Sequence, residues 1–195
     1  MTSNEEIYDK YLRTFNRCNN FCRTEKDATF LNMKDDHIGN AQLKPGYNIQ
    51  IGVEGSYVIG VSAFPDANDL HTLIPFLEKV NGMYGIRIKN VVCDVGYESE
   101  ENYAYLAKNK QDAYIELAFY DRWKKRSFKK DISKIKNMLY DAEGDFYVCN
   151  QGCILKCVRK NFVRKKKSRY EMLVLRYTCE NCNECPVKAK CMKAA

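Results

Sequence analysis

The stretch Ile88-Lys89-Asn90-Val91-Val92-Cys93-Asp94-Val95-Gly96-Tyr97 limits the possible folds of this chain more than any other. Val91, Val92 and Cys93 form a compact apolar run, the signature of a short buried strand. Asp94 follows at once, Gly96 permits a tight turn, and Glu98-Ser99-Glu100-Glu101 opens a helix. Strand, turn and helix in that order belong to α/β layering, where ligands and metals bind at the carboxyl ends of strands. Asp94 is therefore either the cap of the helix that opens at Glu98 or a working carboxylate.

The flanking segments extend the pattern. Residues 4–17 carry Ile7, Tyr8, Tyr11, Leu12 and Phe15 at helical spacing. Cys18 and Cys22 follow as structural thiols. Residues 23–45 are rich in turn formers and read as irregular, with His37 a solvated loop histidine. Residues 47–53 alternate with period two, Glu54-Gly55-Ser56 turns, and residues 57–64 return, which predicts a hairpin. Asp69 is placed to cap a helix over 70–82 carrying Leu70, Leu73, Ile74, Leu77 and Val80, with Pro75 predicting a kink or a later start. The strand 88–93, a helix over 99–109 and a strand over 113–119 complete a β-β-α-β-α-β order.

Charge divides the chain. Residues 1–120 hold 12 Lys and Arg against 17 Asp and Glu, whereas residues 121–195 hold 20 against 8. A basic half of that size points to a polyanion, DNA or RNA. Its carriers are Arg122, Lys124, Lys125, Arg126, Lys129 and Lys130, interleaved with Trp123 and Phe128, and the tip Arg164, Lys165, Lys166, Lys167 and Arg169. Trp123 either stacks on an exposed base or docks on the core. One hairpin is expected to turn at Glu143-Gly144, and a second to pair residues 154–163 with 170–178. No apolar run approaches the length of a membrane span and no signal peptide is visible, so a cytoplasmic location is expected.

Seven of the ten cysteines fall in residues 149–191. Clustered cysteines without a secretory signal read as metal ligands before disulfides. Cys179, Cys182 and Cys185 are separated by two-residue spacers and Cys191 follows; Cys149 closes a hairpin. Four thiolates drawn from these five satisfy tetrahedral zinc in a structural role, with Cys153 and Cys157 in reserve. The three close cysteines before Pro186 also suit an iron–sulfur cluster, but the usual fourth ligand is missing at its expected spacing, which ranks zinc first.

Taken together, Asp27-Ala28-Thr29-Phe30, Met33-Lys34-Asp35-Asp36-His37, Gln42 through Gln50, Asp94 through Tyr103 and the cysteine element resemble bacterial insertion-sequence transposases of the DDE type. The resemblance implies an α/β fold: a partial ribonuclease-H-like mixed sheet with helices, plus a small basic cysteine-rich β-hairpin subdomain. The implied division is an N-terminal helix and irregular segment at 1–45, the core at 46–120 and the insertion at 121–195. In that family three carboxylates hold two divalent ions, Mg2+ or Mn2+, for DNA cleavage and strand transfer. Asp94 matches the second carboxylate. The first Asp would lie upstream of residue 1 and the final Glu downstream of residue 195, so the expectation is a truncated copy, inactive alone. Its partners would be DNA at transposon ends, and an intact transposase or a second copy of itself, in a bacterial cytoplasm. The alternative is a non-enzymatic, zinc-stabilised DNA-binding protein. A third reading is a remnant that folds poorly, because the strand beside the Asp94 strand would be absent.

Overall fold

The computed structural model describes residues 4–15, 21–32, 39, 42–164, 168 and 170–192. Cys18, His37, Lys165, Lys166, Lys167 and Arg169 lie outside the described residues. The architecture is mixed α/β, and the chain divides into two units, Met1–Ile115 and Glu116–Ala195. Among the described residues no helix is long and apolar enough to cross a membrane.

The first unit runs α1 (Asn4–Phe15), β1 (Thr29–Asn32), β2 (Leu43–Gly46), β3 (Asn48–Glu54), β4 (Tyr57–Phe64), α2 (Leu73–Tyr84), β5 (Asn90–Cys93), α3 (Glu100–Lys108) and β6 (Asp112–Ile115). β1 pairs antiparallel with β2, β3 antiparallel with β4, and β5 parallel with β6. Among the described residues these three pairs are not hydrogen-bonded to one another. The β1–β2 ribbon corrects the expectation that 23–45 is irregular. Phe30 sits opposite Pro45, and a two-stranded ribbon accepts proline because each strand has an open edge for the missing N–H. β6 ends at Ile115 rather than Phe119, since its ladder is the four-residue register Asn90↔Asp112 to Cys93↔Ile115.

The helix expected over 70–82 begins later. Asp69–His71 forms a 3₁₀ turn, Thr72 stands at the N-cap position, and α2 starts at Leu73. Pro75 thus falls in the first turn, where its missing N–H costs no intrahelical bond. Asp69 is not the cap of this helix, which corrects the reading from sequence. Gly85 ends α2 in the left-handed region at φ 64°, the usual helix stop.

α2 is the element on which the unit is built. Leu73 and Leu77 pack with Val91, Leu106 and Ile115. Each such side chain contributes about 1.5–3 kcal/mol when fully buried. Another part of α2 rests on the hairpin, where Gly52 and Gly60 are paired directly. A Cβ on Gly60 would stand 2.6 Å from Val80 Cγ2, and one on Gly52 3.0 Å from the Phe76 ring. Only glycine lets the helix approach this closely. Gln50 and Ser62 of the hairpin are buried, whereas Ile49, Ile51, Val53 and Val61 are exposed. The period-two pattern is present, but its polar and glycine residues are the ones that are covered.

The second unit runs α4 (Tyr120–Lys124), α5 (Arg126–Lys129), β7 (Leu139–Asp141), β8 (Phe146–Val148), β9 (Ile154–Arg164), β10 (Glu171–Cys179) and α6 (Lys188–Cys191). Its strands form one antiparallel sheet in the order β10-β9-β8-β7. Both expected hairpins are present, the longer one with a bulge between Arg176 and Tyr177. Asp145 organises the shorter turn: it accepts hydrogen bonds from Tyr140, Tyr177 and Lys160. Among the described residues, every buried apolar side chain belongs to the first unit.

Candidate functional site

Asp94 leaves the carboxyl end of β5 exposed to solvent. Its Oδ1 accepts the Gly96 N–H at 2.8 Å, which caps the short 3₁₀ turn Val95–Tyr97. The helix beyond has its own cap, Ser99, whose Oγ accepts the Asn102 N–H at 3.1 Å. Asp94 therefore does not cap α3, a correction to the first of its two sequence readings.

A second carboxylate stands beside it. A Cβ on Gly96 would lie 2.7 Å from Asp69 Oδ2 and 3.0 Å from Asp94 Oδ1, so both oxygens border one small volume. Gly96 is needed for this close approach rather than for an unusual backbone angle. Asp69 Oδ1 accepts from Asn48 Nδ2 at 2.7 Å and from Gln50 Nε2 at 2.9 Å, two residues on the inner face of β3. The Tyr97 hydroxyl donates to Gln50 Oε1. Burial pushes Tyr97 up to about 12, helped by the negative charge of Asp69, Cys93 and Asp94. Burial likewise pushes the Cys93 thiol up to about 11, with Asp94 adding to it.

Asn102 holds the two carboxylate turns together. It is fully buried, and its Nδ2 donates to Leu70 O at 3.2 Å and Tyr97 O at 2.8 Å, one acceptor next to Asp69 and the other in the Asp94 turn. From sequence Asp66 and Asp69 could both approach the site, with Asp69 preferred as a helix cap, and Asn102 had no role beyond its place in the stretch Asp94 through Tyr103. The only available signal was that Asp69 and Asn102 lie near Asp94 in the α/β order.

Mg2+ takes six oxygen donors in octahedral geometry, and a two-ion centre needs carboxylates enough to bridge both ions. Asp69 and Asp94 supply two carboxylates. Among the described residues no group of three or more His, Cys, Asp or Glu side chains stands ready to hold a metal ion. The residues present suit part of one ion's shell and do not build a two-ion centre.

In the second unit Cys149, Cys179, Cys182, Cys185 and Cys191 all line one pocket, and Cys153 joins them. Cys157 does not; its thiol faces Arg159 O at 3.7 Å. The Cys182 thiol is pushed up to about 11 by its hydrogen bond to Cys179 and by burial. Burial, then the neighbouring Cys149 and Cys179, raises Cys153. Burial with Cys149 and Cys185 raises Cys191.

The basic stretch folds as two short helices, α4 and α5. Arg122, Lys124, Lys125, Arg126, Lys129 and Lys130 are all exposed. Trp123 is half-buried, and the Lys136 ammonium stands 3.0 Å from its ring centre, so one face of the indole already carries a cation. Lys124 covers Tyr120 at 3.8 Å. Arg164 is paired with Glu171 at 2.8 Å, which offsets its charge at the start of the hairpin tip.

The family model described as Transposase DDE domain matches residues 23–181. No curated protein and no solved structure matches the chain.

Proposed function

The chain belongs to the transposase DDE domain family, and from that premise we propose that it acts in DNA transposition with Asp94 as a metal-holding carboxylate and Asp69 beside it. The observation that carries this reading is the position of Asp94. It lies exposed at the carboxyl end of a parallel strand, next to a second carboxylate, inside the matched stretch. The order β3-β4-α2-β5-α3-β6 supports a partial ribonuclease-H-like core, with the Asp-bearing strand followed by a helix and a parallel neighbour.

A divalent ion, when bound, polarises a phosphodiester and lowers the pKa of its bound water. The chain's own part is positional. Asn48 and Gln50 fix Asp69, Gly96 leaves room for both carboxylates, and Asn102 keeps their turns in register. Mn2+ binding followed by electron paramagnetic resonance tests the reading. Asp94→Asn and Asp69→Asn should each weaken binding, because each removes one negative charge from a site whose affinity follows its ligand charge. Affinity unchanged in Asp94→Asn takes Asp94 out of the site.

A second reading rests on the exposed cations of α4 and α5: a DNA-binding unit without catalysis, in which zinc would play a structural part. Such binding should weaken as salt rises, the log–log slope losing roughly 0.9 for each phosphate contact removed. Neutralising Lys125, Arg126, Lys129 and Lys130 should flatten that slope while leaving Mn2+ binding at Asp94 intact. A wild-type chain whose DNA affinity ignores salt contradicts this reading.

A further inference from the structure

We propose that the pocket bounded by Cys149, Cys153, Cys179, Cys182, Cys185 and Cys191 is a zinc site of thiolate ligands that staples the turn between β8 and β9 to the segment following β10. Four of the six thiols would ligate one ion, at least one of them from the β8–β9 turn.

The backbone of both segments is already turned for this role. Cys149 and Cys153 are separated by three residues, within the two- to four-residue spacing of zinc ligands. Their loop is closed by Cys149 N–H to Cys153 O at 2.9 Å and Gly152 N–H to Cys149 O at 2.9 Å. Gly152 takes φ +76°, a conformation that suits glycine. In the other segment the Cys185 N–H reaches Cys182 O at 3.4 Å, and Lys188 N–H reaches Cys185 O at 3.1 Å. These tight turns bring successive thiols round to a common side.

The two segments also meet at one pocket. Cys149 and Cys153 of the first segment line the same pocket as Cys179, Cys182, Cys185 and Cys191 of the second. All six thiols are free rather than paired as disulfides. They surround a cavity of about 50 Å³, walled in addition by Ile132, Met138 and Leu155. A water needs about 10–15 Å³ on the same measure, so an ion has room. Among the described residues no three of these thiols are grouped so that they could hold an ion as they stand. A cysteine sulfur moves between staggered wells by rotation about one bond, and closing the shell requires such rotations. With sulfur as the only donor, the site selects a soft or borderline ion such as zinc over Mg2+ or Ca2+. Each thiol that ligates gives its proton to solvent.

The unit needs such a staple. It spans Glu116–Ala195, and no apolar side chain among its described residues is buried. Domains too small to build a sufficient core rely on disulfides, metals or association. The proposal stands apart from the DNA reading and does not depend on it.

The test is elemental analysis of the reduced full chain, followed by cobalt titration of the metal-free protein. The expected result is one zinc per chain and, with Co2+, the strong sulfur-to-metal charge-transfer band of a four-thiolate tetrahedral site. The double variants Cys149→Ser/Cys153→Ser and Cys182→Ser/Cys185→Ser should lose the ion, while Cys157→Ser should keep it. The wild-type cobalt spectrum reads ligation even where a variant does not fold. Absence of bound zinc together with a cobalt spectrum lacking thiolate bands overturns the proposal. So does an iron–sulfur chromophore, or zinc retained at full stoichiometry by the Cys149→Ser/Cys153→Ser variant.

Discussion

Leu106 and Asn102 in the first unit are both wholly withdrawn from solvent, one for packing and one to tie turns together, whereas among the described residues of the second unit no apolar side chain is buried. The first unit has a helix, α2, with strand pairs and a second helix to cover. The second is a single antiparallel sheet whose best-organised points are polar or sulfur-based: the Asp145 network and the cysteine pocket. A chain can hold a reactive-looking surface in either way. In the first unit a hydrophobic core positions two carboxylates; in the second, specific contacts must stand in for a core.

The largest effect is expected at the core. Leu106→Ala removes a wholly buried side chain that packs with Leu73, Leu77, Val91 and Ile115, and should cost about 2–5 kcal/mol. Thermal protection of backbone amides in residues 73–115 against hydrogen exchange should fall, while the melting of the fluorescence of Trp123, the chain's single tryptophan, should not shift. A shift of equal size in both signals would mean that the units do not differ in what stabilises them.

A smaller effect is expected at the carboxylate pair. Gly96→Ala forces a methyl group against Asp69 and Asp94, and should cost about 1–3 kcal/mol as overpacking. Its sharper readout is Mn2+ affinity, which should fall although no carboxylate has been changed. Unchanged affinity would show that the closeness of the two groups has no bearing on ion binding.

The smallest effect belongs to the second unit and depends on pH. Hydrogen bonds from Lys160, Tyr177 and Tyr140 hold the Asp145 carboxyl down at about 2. A carboxylate whose folded pKa lies below its unfolded value of about 3.9 stabilises the fold above that value. The contribution is lost as pH falls from about 4 towards 2. The tyrosine circular-dichroism signal should therefore weaken across that window in the wild type. Asp145→Asn should start from a weaker signal at neutral pH and show less change on acidification. An acid transition of the same size in Asp145→Asn would assign it to other groups.

Local patterns were legible in the chain. The hairpins at β3–β4 and β9–β10 follow from alternation and turn residues that are neighbours in sequence. α1, α3 and the strand ending at Asp94 could be read in the same way, and the motifs around Asp94 led to the family that the match over residues 23–181 supports. The ribbon of β1 and β2 was missed because its register joins residues separated by a long connection, with turn formers scattered along 23–45 and no tight two-residue turn between alternating strands.

What the sequence by itself determined is which segments extend, which coil, and that an Asp follows a short strand. These depend on each residue's neighbours along the chain. That strand was expected to be buried, but only Val91 is, and Val92 is exposed. Only the tertiary structure decided that Asp69 faces Asp94 instead of capping α2, because its partners Asn48 and Gln50 come from the preceding hairpin. It also decided which side of that hairpin is covered, through the room that Gly52 and Gly60 leave for Phe76 and Val80. And it brought Cys153 into the pocket lined by Cys179, Cys182, Cys185 and Cys191, which are distant from it along the chain. Periodicity describes which residues share a face; what that face meets is set by packing between distant segments.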